Sequence, residues 1–171
     1  MNNSLLEINH LSYSENGNTI VNDFSWKLEE PLFVTFLMPY KSNNTFEKVL
    51  CGIVKQDSGD IIVDNVDIKM MNYKTKSIYM IFKGGALFET MSVFDNVAYG
   101  LSLLDLKGES IKKKVNRVLN RLDISNLIDK MPSQLLDDEI IKVALARVLV
   151  LKPKVIVFDD VLSKVDAHTK N

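Results

Sequence analysis

The chain has 171 residues, of which 46% are apolar and 25% are charged, values that are ordinary for a globular protein with a buried core. Its formal net charge of −1 gives no field over the whole molecule that would favour nucleic acid or an anionic membrane. The first twenty residues lack the apolar core of a signal peptide, and no apolar run is long enough to span a bilayer. A single cysteine, Cys51, excludes an intrachain disulfide, and its apolar neighbours predict a buried thiol in a reduced, cytosolic protein.

Strand patterns fill the N-terminal part of the chain. Residues 5–13 partly alternate apolar and polar, and a turn signal at residues 16–18 leads into a second segment of strand composition, so we expect an antiparallel pair. The run LFVTFL at residues 32–37 is almost continuously apolar, which predicts a strand buried on both faces. A polar loop and a short helix over about residues 44–51 follow it.

The remainder alternates short apolar strands with helical patterns, which indicates an α/β protein with a mainly parallel sheet. The expected strands are at residues 58–65, 77–82 and in KVIVFDD at residues 154–160, and the expected helices are at residues 93–104, 109–124 and 137–151.

The helix over residues 109–124 has two distinct sides. The apolar positions Ile111, Val115, Val118, Leu119 and Leu122 share one side. The other side carries five basic residues, which either form a solvated surface or contact an anionic partner, and they are Lys112, Lys113, Lys114, Arg117 and Arg121. In the next helix, Asp137 and Asp138 stand at the start, where carboxylates favour the helix dipole and cap free N–H groups.

Two polar segments fall at the carboxyl ends of predicted buried strands, where α/β sheets bind ligands. One is the loop after Leu37, and the other is the pair Asp159 and Asp160. A strand–loop–helix facing an acidic strand end is the layout of a Mg-nucleotide site, although two adjacent aspartates alone are as often structural.

Over residues 6–169 the chain resembles the nucleotide-binding subunit of an ABC transporter. The segments DSGDIIVDNVDI, GALFETMSVFDNVAYGL, MPSQL with VALARVLVLKPKVIVFDD, and LSKVDAHTK carry this resemblance in the family's order and spacing. GALF…MSVFDNVAYGL with KMPSQL is most similar to the lipid-trafficking, MCE-associated importer ATPases. The resemblance implies a P-loop NTPase-like three-layer core with a mainly parallel sheet, an N-terminal antiparallel part and a helical subdomain over about residues 84–135. It also implies one domain over residues 1–171 that ends before the switch histidine and the last strands.

The phosphate loop departs from the family pattern G-x-x-x-x-G-K-[ST], in which backbone N–H groups and a lysine hold the phosphates. By the resemblance, Asn43 takes the lysine position, Asn44 and Thr45 the hydroxyl positions, and Ser42 that of the preceding glycine. Lys41 is the only nearby cation, and it starts two residues too early. We expect this loop, with Thr45 as a Mg²⁺ ligand, to bind ATP weakly at best.

Other stations implied by the resemblance are also altered. Lys83 replaces the glutamine that helps bind Mg²⁺, and LLDDE at residues 135–139 replaces the signature LSGGQ. Asp159 matches the acid that reaches Mg²⁺, Asp160 replaces the catalytic glutamate, and Tyr13 takes the place of an aromatic that stacks on adenine, or else packs in the core.

Three hypotheses follow from this pattern. The chain is a degenerate ABC ATPase-like subunit, which binds a transmembrane permease and a second ATPase protomer at the inner face of the cell membrane. Alternatively, it is a slow Mg-ATPase, or a non-enzymatic interaction module or decaying fragment. ATP and Mg²⁺ are the cofactors that the resemblance implies, and nucleic acid is not an expected partner.

Overall fold

A computed structural model describes residues 4–36 and 45–160, and the chain divides into two compact units, Met1–Met80 and Ile81–Asn171. The first unit contains β1 (Leu6–Glu15), β2 (Asn18–Leu28), α1 (Thr45–Leu50), β3 (Ser58–Val63), β4 (Val66–Asp67) and most of β5 (Ile78–Ile81). The second unit contains α2 (Val93–Ser102), α3 (Gly108–Arg121), α4 (Asp137–Leu149) and β6 (Val155–Phe158). The alternation of apolar strands and amphipathic helices therefore gives the predicted α/β class.

Strands β1 to β4 form an antiparallel sheet in the order β2-β1-β3-β4, which confirms the predicted N-terminal pair. Ile8 and Leu11 are both buried, although their spacing of three would put them on opposite sides of a regular strand. A register shift between them, at His10 with φ 50°, brings both side chains into the core of the first unit.

The segment LFVTFL is not the buried strand that its composition predicts. Residues 32–36 form no strand, the Phe33 side chain is 83% exposed, and Leu37 lies outside the described residues. Continuous apolarity indicates a need for burial, but a strand also needs backbone partners that the local sequence does not specify. Only the last described residue, Phe36, packs into an aromatic cluster.

Cys51 has the buried position that its neighbours predict. The side chain is 2% exposed, and burial raises the pKa of its thiol to about 12. The thiol is therefore protonated at neutral pH and acts as a small apolar group in the first unit.

Helices α2, α3 and α4 pack around one apolar core in the second unit. Val97, Val115, Leu119 and Val143 are fully buried there, and the remaining predicted apolar residues of α3 pack against them. Val115 and Leu119 are four residues apart, so one side of α3 faces the core, as its periodicity predicts.

The strands around the predicted acidic tip differ in burial. Strand β5 is buried as predicted, with Ile81 2% exposed. Strand β6 is only half-buried and its Phe158 is 41% exposed, so the prediction of a strand buried on both faces is wrong for residues 155–158. The end of β5 pairs with β6 in the second unit, where the Asp159 N–H donates to the Ile81 carbonyl at 3.0 Å. The described residues form only β5 and β6 of the mainly parallel sheet that the sequence predicts, since residues 32–36 do not join it.

Candidate nucleotide site

An aromatic cluster in the first unit holds the two ends of the predicted phosphate loop together. The Phe46 ring, in the first turn of α1, lies 5.4 Å from the Phe36 ring and 5.8 Å from the Phe24 ring. The loop between Phe36 and Thr45 therefore starts and ends at the same aromatic contact. The predicted ligands within that loop lie outside the described residues, and these are Lys41, Ser42, Asn43 and Asn44. Their roles stay predictions.

Thr45, the predicted Mg²⁺ ligand of this loop, begins α1 and is buried. Its hydroxyl donates a hydrogen bond to the Glu15 carboxylate at 3.3 Å, a partner that sequence reasoning did not identify. A second carboxylate, that of Glu47, has one buried oxygen with no hydrogen-bond partner among the described residues. Because both side chains are acidic, the start of α1 offers negative charge where a phosphate would require positive charge.

Tyr13 is buried on β1, opposite Val21 of β2. Burial raises the pKa of its phenol, and the charges of Glu15 and Asp57 raise it further. The phenol is therefore neutral at physiological pH. A buried position on the sheet is the packing role that the sequence left open for this residue, and the stacking on adenine stays a prediction.

In the second unit the structure brings together Lys83 and Asp160, two residues that the sequence placed at separate stations. Lys83 follows β5 by two residues, and Asp160 follows β6 by two residues, so the paired strand ends place the two side chains side by side. The Lys83 Nζ lies 2.6 Å from the Asp160 Oδ2, and each side chain is about half exposed. Asp159, one residue earlier, is buried and 5% exposed.

The donor set does not fit the Mg²⁺ site that the resemblance implies. The Thr45 hydroxyl is hydrogen-bonded to a carboxylate, and the ammonium of Lys83 places a positive charge directly beside the acidic strand end. A protonated lysine cannot be a ligand, and its charge opposes a divalent cation nearby. Among residues 4–36 and 45–160 no three His, Cys, Asp or Glu residues are grouped so that they could hold a metal ion.

The signature segment forms the start of α4. The Glu139 carboxylate accepts a hydrogen bond from the Leu136 N–H at 2.9 Å. Asp137 and Asp138 lie inside the first turn, so the expectation that they cap free N–H groups is corrected: the cap is made by Glu139. The position that carries a serine in LSGGQ is held by Leu136, which is 69% exposed. Three carboxylates therefore surround this helix start, and no side-chain hydroxyl is offered to a phosphate there.

The segment after the two glycines at residues 84 and 85 is held in place by Arg147 of α4. Its guanidinium donates to the Ala86 carbonyl at 2.8 Å and to the Gly85 carbonyl at 3.0 Å, and it lies 5.4 Å from the Phe88 ring centre. Burial lowers the pKa of Arg147. A side chain at Gly85 would place its Cβ 2.7 Å from an Ile140 methyl group, and its φ of 77° also favours glycine.

Asn96 fixes the rest of this segment, although no sequence signal indicated it. Its side chain is fully buried, accepts from the Phe88 N–H at 2.8 Å, and donates to the carbonyls of Phe88, Met91 and Ser92 at 3.0–3.1 Å. The result is a rigid loop that leaves Phe88 40% exposed beside Tyr99, with ring centres 4.7 Å apart.

Comparisons with known proteins agree with this arrangement. The family model described as "ABC transporter" matches residues 43–163. The Fe(3+) ions import ATP-binding protein FbpC of Photobacterium profundum is 36% identical over 154 residues, which are 90% of this chain and 44% of that protein. The spermidine/putrescine import ATP-binding protein PotA of Haemophilus influenzae is 35% identical over 166 residues, which are 96% of this chain and 45% of that protein.

The fold is also similar to a solved structure, that of cbiO1 from Clostridium perfringens, described as part of the ABC transporter complex cbiONQ. The TM-score is 0.82 at 26% identity, and the match covers 96% of this chain and 68% of that one. The chain spans about half the length of the curated relatives it matches. Across the part of the chain that the structure describes, no helix has both the length and the apolarity needed to cross a membrane.

Proposed function

Because the chain belongs to the ABC transporter family as an ATP-binding domain, we propose that it is a degenerate subunit that binds a permease but holds Mg-ATP weakly. In this role it keeps the packing of the family and loses most of the groups that hold phosphate. The chain forms an assembly with a transmembrane permease and a second ATPase protomer, at the inner face of the membrane.

The acidic start of α4 is the observation that carries this proposal. The Leu136 N–H, which would be free to bind a phosphate, is already bonded to the Glu139 carboxylate at 2.9 Å. Asp137 and Asp138 add two further charges in the same turn. At about 4 Å and an effective dielectric constant near 20, one like-charge pair costs about 4 kcal/mol. A triphosphate presented to this turn by a second protomer is therefore repelled.

The pair of Lys83 and Asp160 supports the same conclusion. A general base must be within hydrogen-bond reach of the proton that it removes. The Asp160 carboxylate instead lies 2.6 Å from an ammonium group, and its stem is one methylene shorter than that of the family's glutamate. A displacement of about 1 Å in a catalytic group can reduce a rate about 100-fold.

A surface for the permease remains in place. Phe88 and Tyr99 form an exposed aromatic pair on the loop that Arg147 and Asn96 hold rigid. Exposed aromatic side chains on a preorganised segment are typical anchors of protein interfaces. Of the apolar residues expected to face the permease, Ala86 and Phe88 are exposed, whereas Val93 is buried in the helical core.

We assign no cargo to this assembly. The resemblance to lipid-trafficking importers would make the cargo a phospholipid, whereas the relatives reported above are named for import of iron(III) ions and of spermidine/putrescine. The comparisons therefore support the family but not the lipid-trafficking subfamily.

Steady-state ATP hydrolysis tests the proposal against the slow Mg-ATPase. We expect the chain and its Asp160→Asn variant to give the same background rate, because the carboxylate does not act as a base. Mg-dependent turnover that disappears in Asp160→Asn would favour the ATPase instead. A cooperative thermal transition followed by circular dichroism is expected, and its absence would favour a decaying fragment.

Co-purification with a tagged ABC permease subunit in detergent tests the docking surface. Phe88→Ser should release the chain from the permease. Tyr73→Ser is the matched control, because Tyr73 is 60% exposed and lies in the first unit. Equal recovery of both variants would contradict the assigned surface.

A further inference from the structure

Helix α3 carries a surface that the proposed function does not use. Five of its fourteen residues are basic, one is acidic (Glu109), and the five cations are Lys112, Lys113, Lys114, Arg117 and Arg121. We refer to these five as the basic face. Val115 and Leu119 on the opposite side are fully buried, so the helix cannot rotate and the cations project outward. At about 1.5 Å per residue the helix is about 21 Å long, and the basic face extends over most of it.

None of the five cations forms an ion pair with any residue in the described ranges 4–36 and 45–160. Lysines elsewhere in the structure are partnered, and these are Lys27, Lys69, Lys83, Lys130 and Lys142. Since the molecule has a net charge of −1, positive charge is concentrated on α3 while the remainder of the chain is acidic. The basic face therefore produces a local positive field that its own neighbours do not neutralise.

The composition of the basic face indicates the class of partner. Asn116 and Asn120 lie among the cations, and no aromatic or large apolar side chain is present. Protein interfaces are anchored by buried aromatic and apolar residues, and single-stranded nucleic acid is held by stacking on aromatic rings. A row of cations without such anchors fits a diffuse anionic surface better than either of these partners.

We propose that the basic face of α3 binds the anionic phospholipid headgroups of a bilayer. The choice of lipid rests in part on the proposed function, since a subunit bound to a permease lies next to the membrane. Contact is electrostatic and requires no insertion, because the apolar side of α3 is used in the helical core. Each basic residue near an anionic surface contributes about a fivefold gain in affinity.

Sedimentation of the chain with lipid vesicles tests this proposal. We expect binding to vesicles of 30% phosphatidylglycerol and 70% phosphatidylcholine at low salt, and none to pure phosphatidylcholine. In about 1 M salt the Debye length is about 3 Å, and the binding should disappear. Neutralising two cations with Lys113→Gln and Arg117→Gln should weaken binding about 25-fold. Glutamine is a good helix former, and unchanged circular dichroism would verify that α3 is intact.

The matched control is Lys55→Gln with Lys152→Gln, which removes the same charge from exposed positions outside α3 and should change binding less than twofold. Exchanging the two cations, with Lys113→Arg and Arg117→Lys, should retain it. Failure of the unaltered chain to bind anionic vesicles, or equal losses in the two neutralised variants, would overturn the proposal. Tighter binding to polyglutamate or to a single-stranded oligonucleotide would also overturn it, in favour of an acidic protein or nucleic acid. The assay contains no nucleotide and no permease, so its failure leaves the proposed function intact.

Discussion

The helical core and the signature segment belong to the same unit, yet opposite kinds of residue occupy them. Val97, Val115 and Leu119 fill the core with fully buried apolar side chains, as three packed helices require. The signature segment instead carries three carboxylates in the first turn of α4, one of which bonds to its own backbone. The difference shows that packing and phosphate chemistry depend on separate residues, so one can be kept while the other is lost.

Truncation in the core should break this comparison most strongly. Leu119→Ala removes a fully buried side chain between α3 and its neighbours, and we expect the free energy of unfolding to fall by about 2–5 kcal/mol. Urea unfolding followed by circular dichroism measures the change. Leu103→Ala, at a side chain that is 48% exposed, is the control and should cost less than about 1 kcal/mol. Similar losses for both variants would mean that the helical core is not packed as described.

Loss of the Asn96 side chain should have the next largest effect. Asn96→Ala leaves the Phe88 N–H and several carbonyls without their partner, and we expect a cost of about 1–3 kcal/mol. Hydrogen exchange should also show faster exchange at the Phe88 amide. Asn116→Ala on the outer side of α3 is the control. Unchanged exchange at Phe88 would contradict the role assigned to Asn96.

How much of this was predictable depends on whether the responsible contacts are local. The apolar side of α3 and the burial of Cys51 follow from spacing and neighbours, and both predictions are confirmed. The segment at residues 32–37 was mispredicted because a strand requires partners from distant parts of the chain. Asn96 carried no signal, since its partners are loop backbone groups that any sequence would offer.

The sites show the same division. Asp159 and Asp160 follow β6, as the strand pattern predicts, but the contact between Asp160 and Lys83 joins residues that are 77 positions apart. The cap of α4 was assigned to the wrong acids, although Leu136 followed three residues later by Glu139 has the spacing of a capping box.

A change at a phosphate station should have the smallest effect on stability. Lys83→Gln removes an ion pair whose two side chains are about half exposed, so we expect the free energy of unfolding to change by less than about 1 kcal/mol. The same urea experiment measures it, with Lys142→Gln, which breaks the looser pair with Asp138, as the control. A loss above about 2 kcal/mol would show that the pair has a structural role that the comparison denies.

Titration calorimetry with Mg-ATP, run beside an active relative, tests most directly whether phosphate chemistry has been lost from an intact fold. The loop has no lysine at the family position, and each missing charge-assisted hydrogen bond is worth about 1.5–3 kcal/mol. We expect a Kd weaker than about 1 mM for this chain, which corresponds to less than about 4 kcal/mol of binding free energy. Saturable one-to-one binding with a Kd of about 10 μM or lower would contradict the proposal of a degenerate subunit.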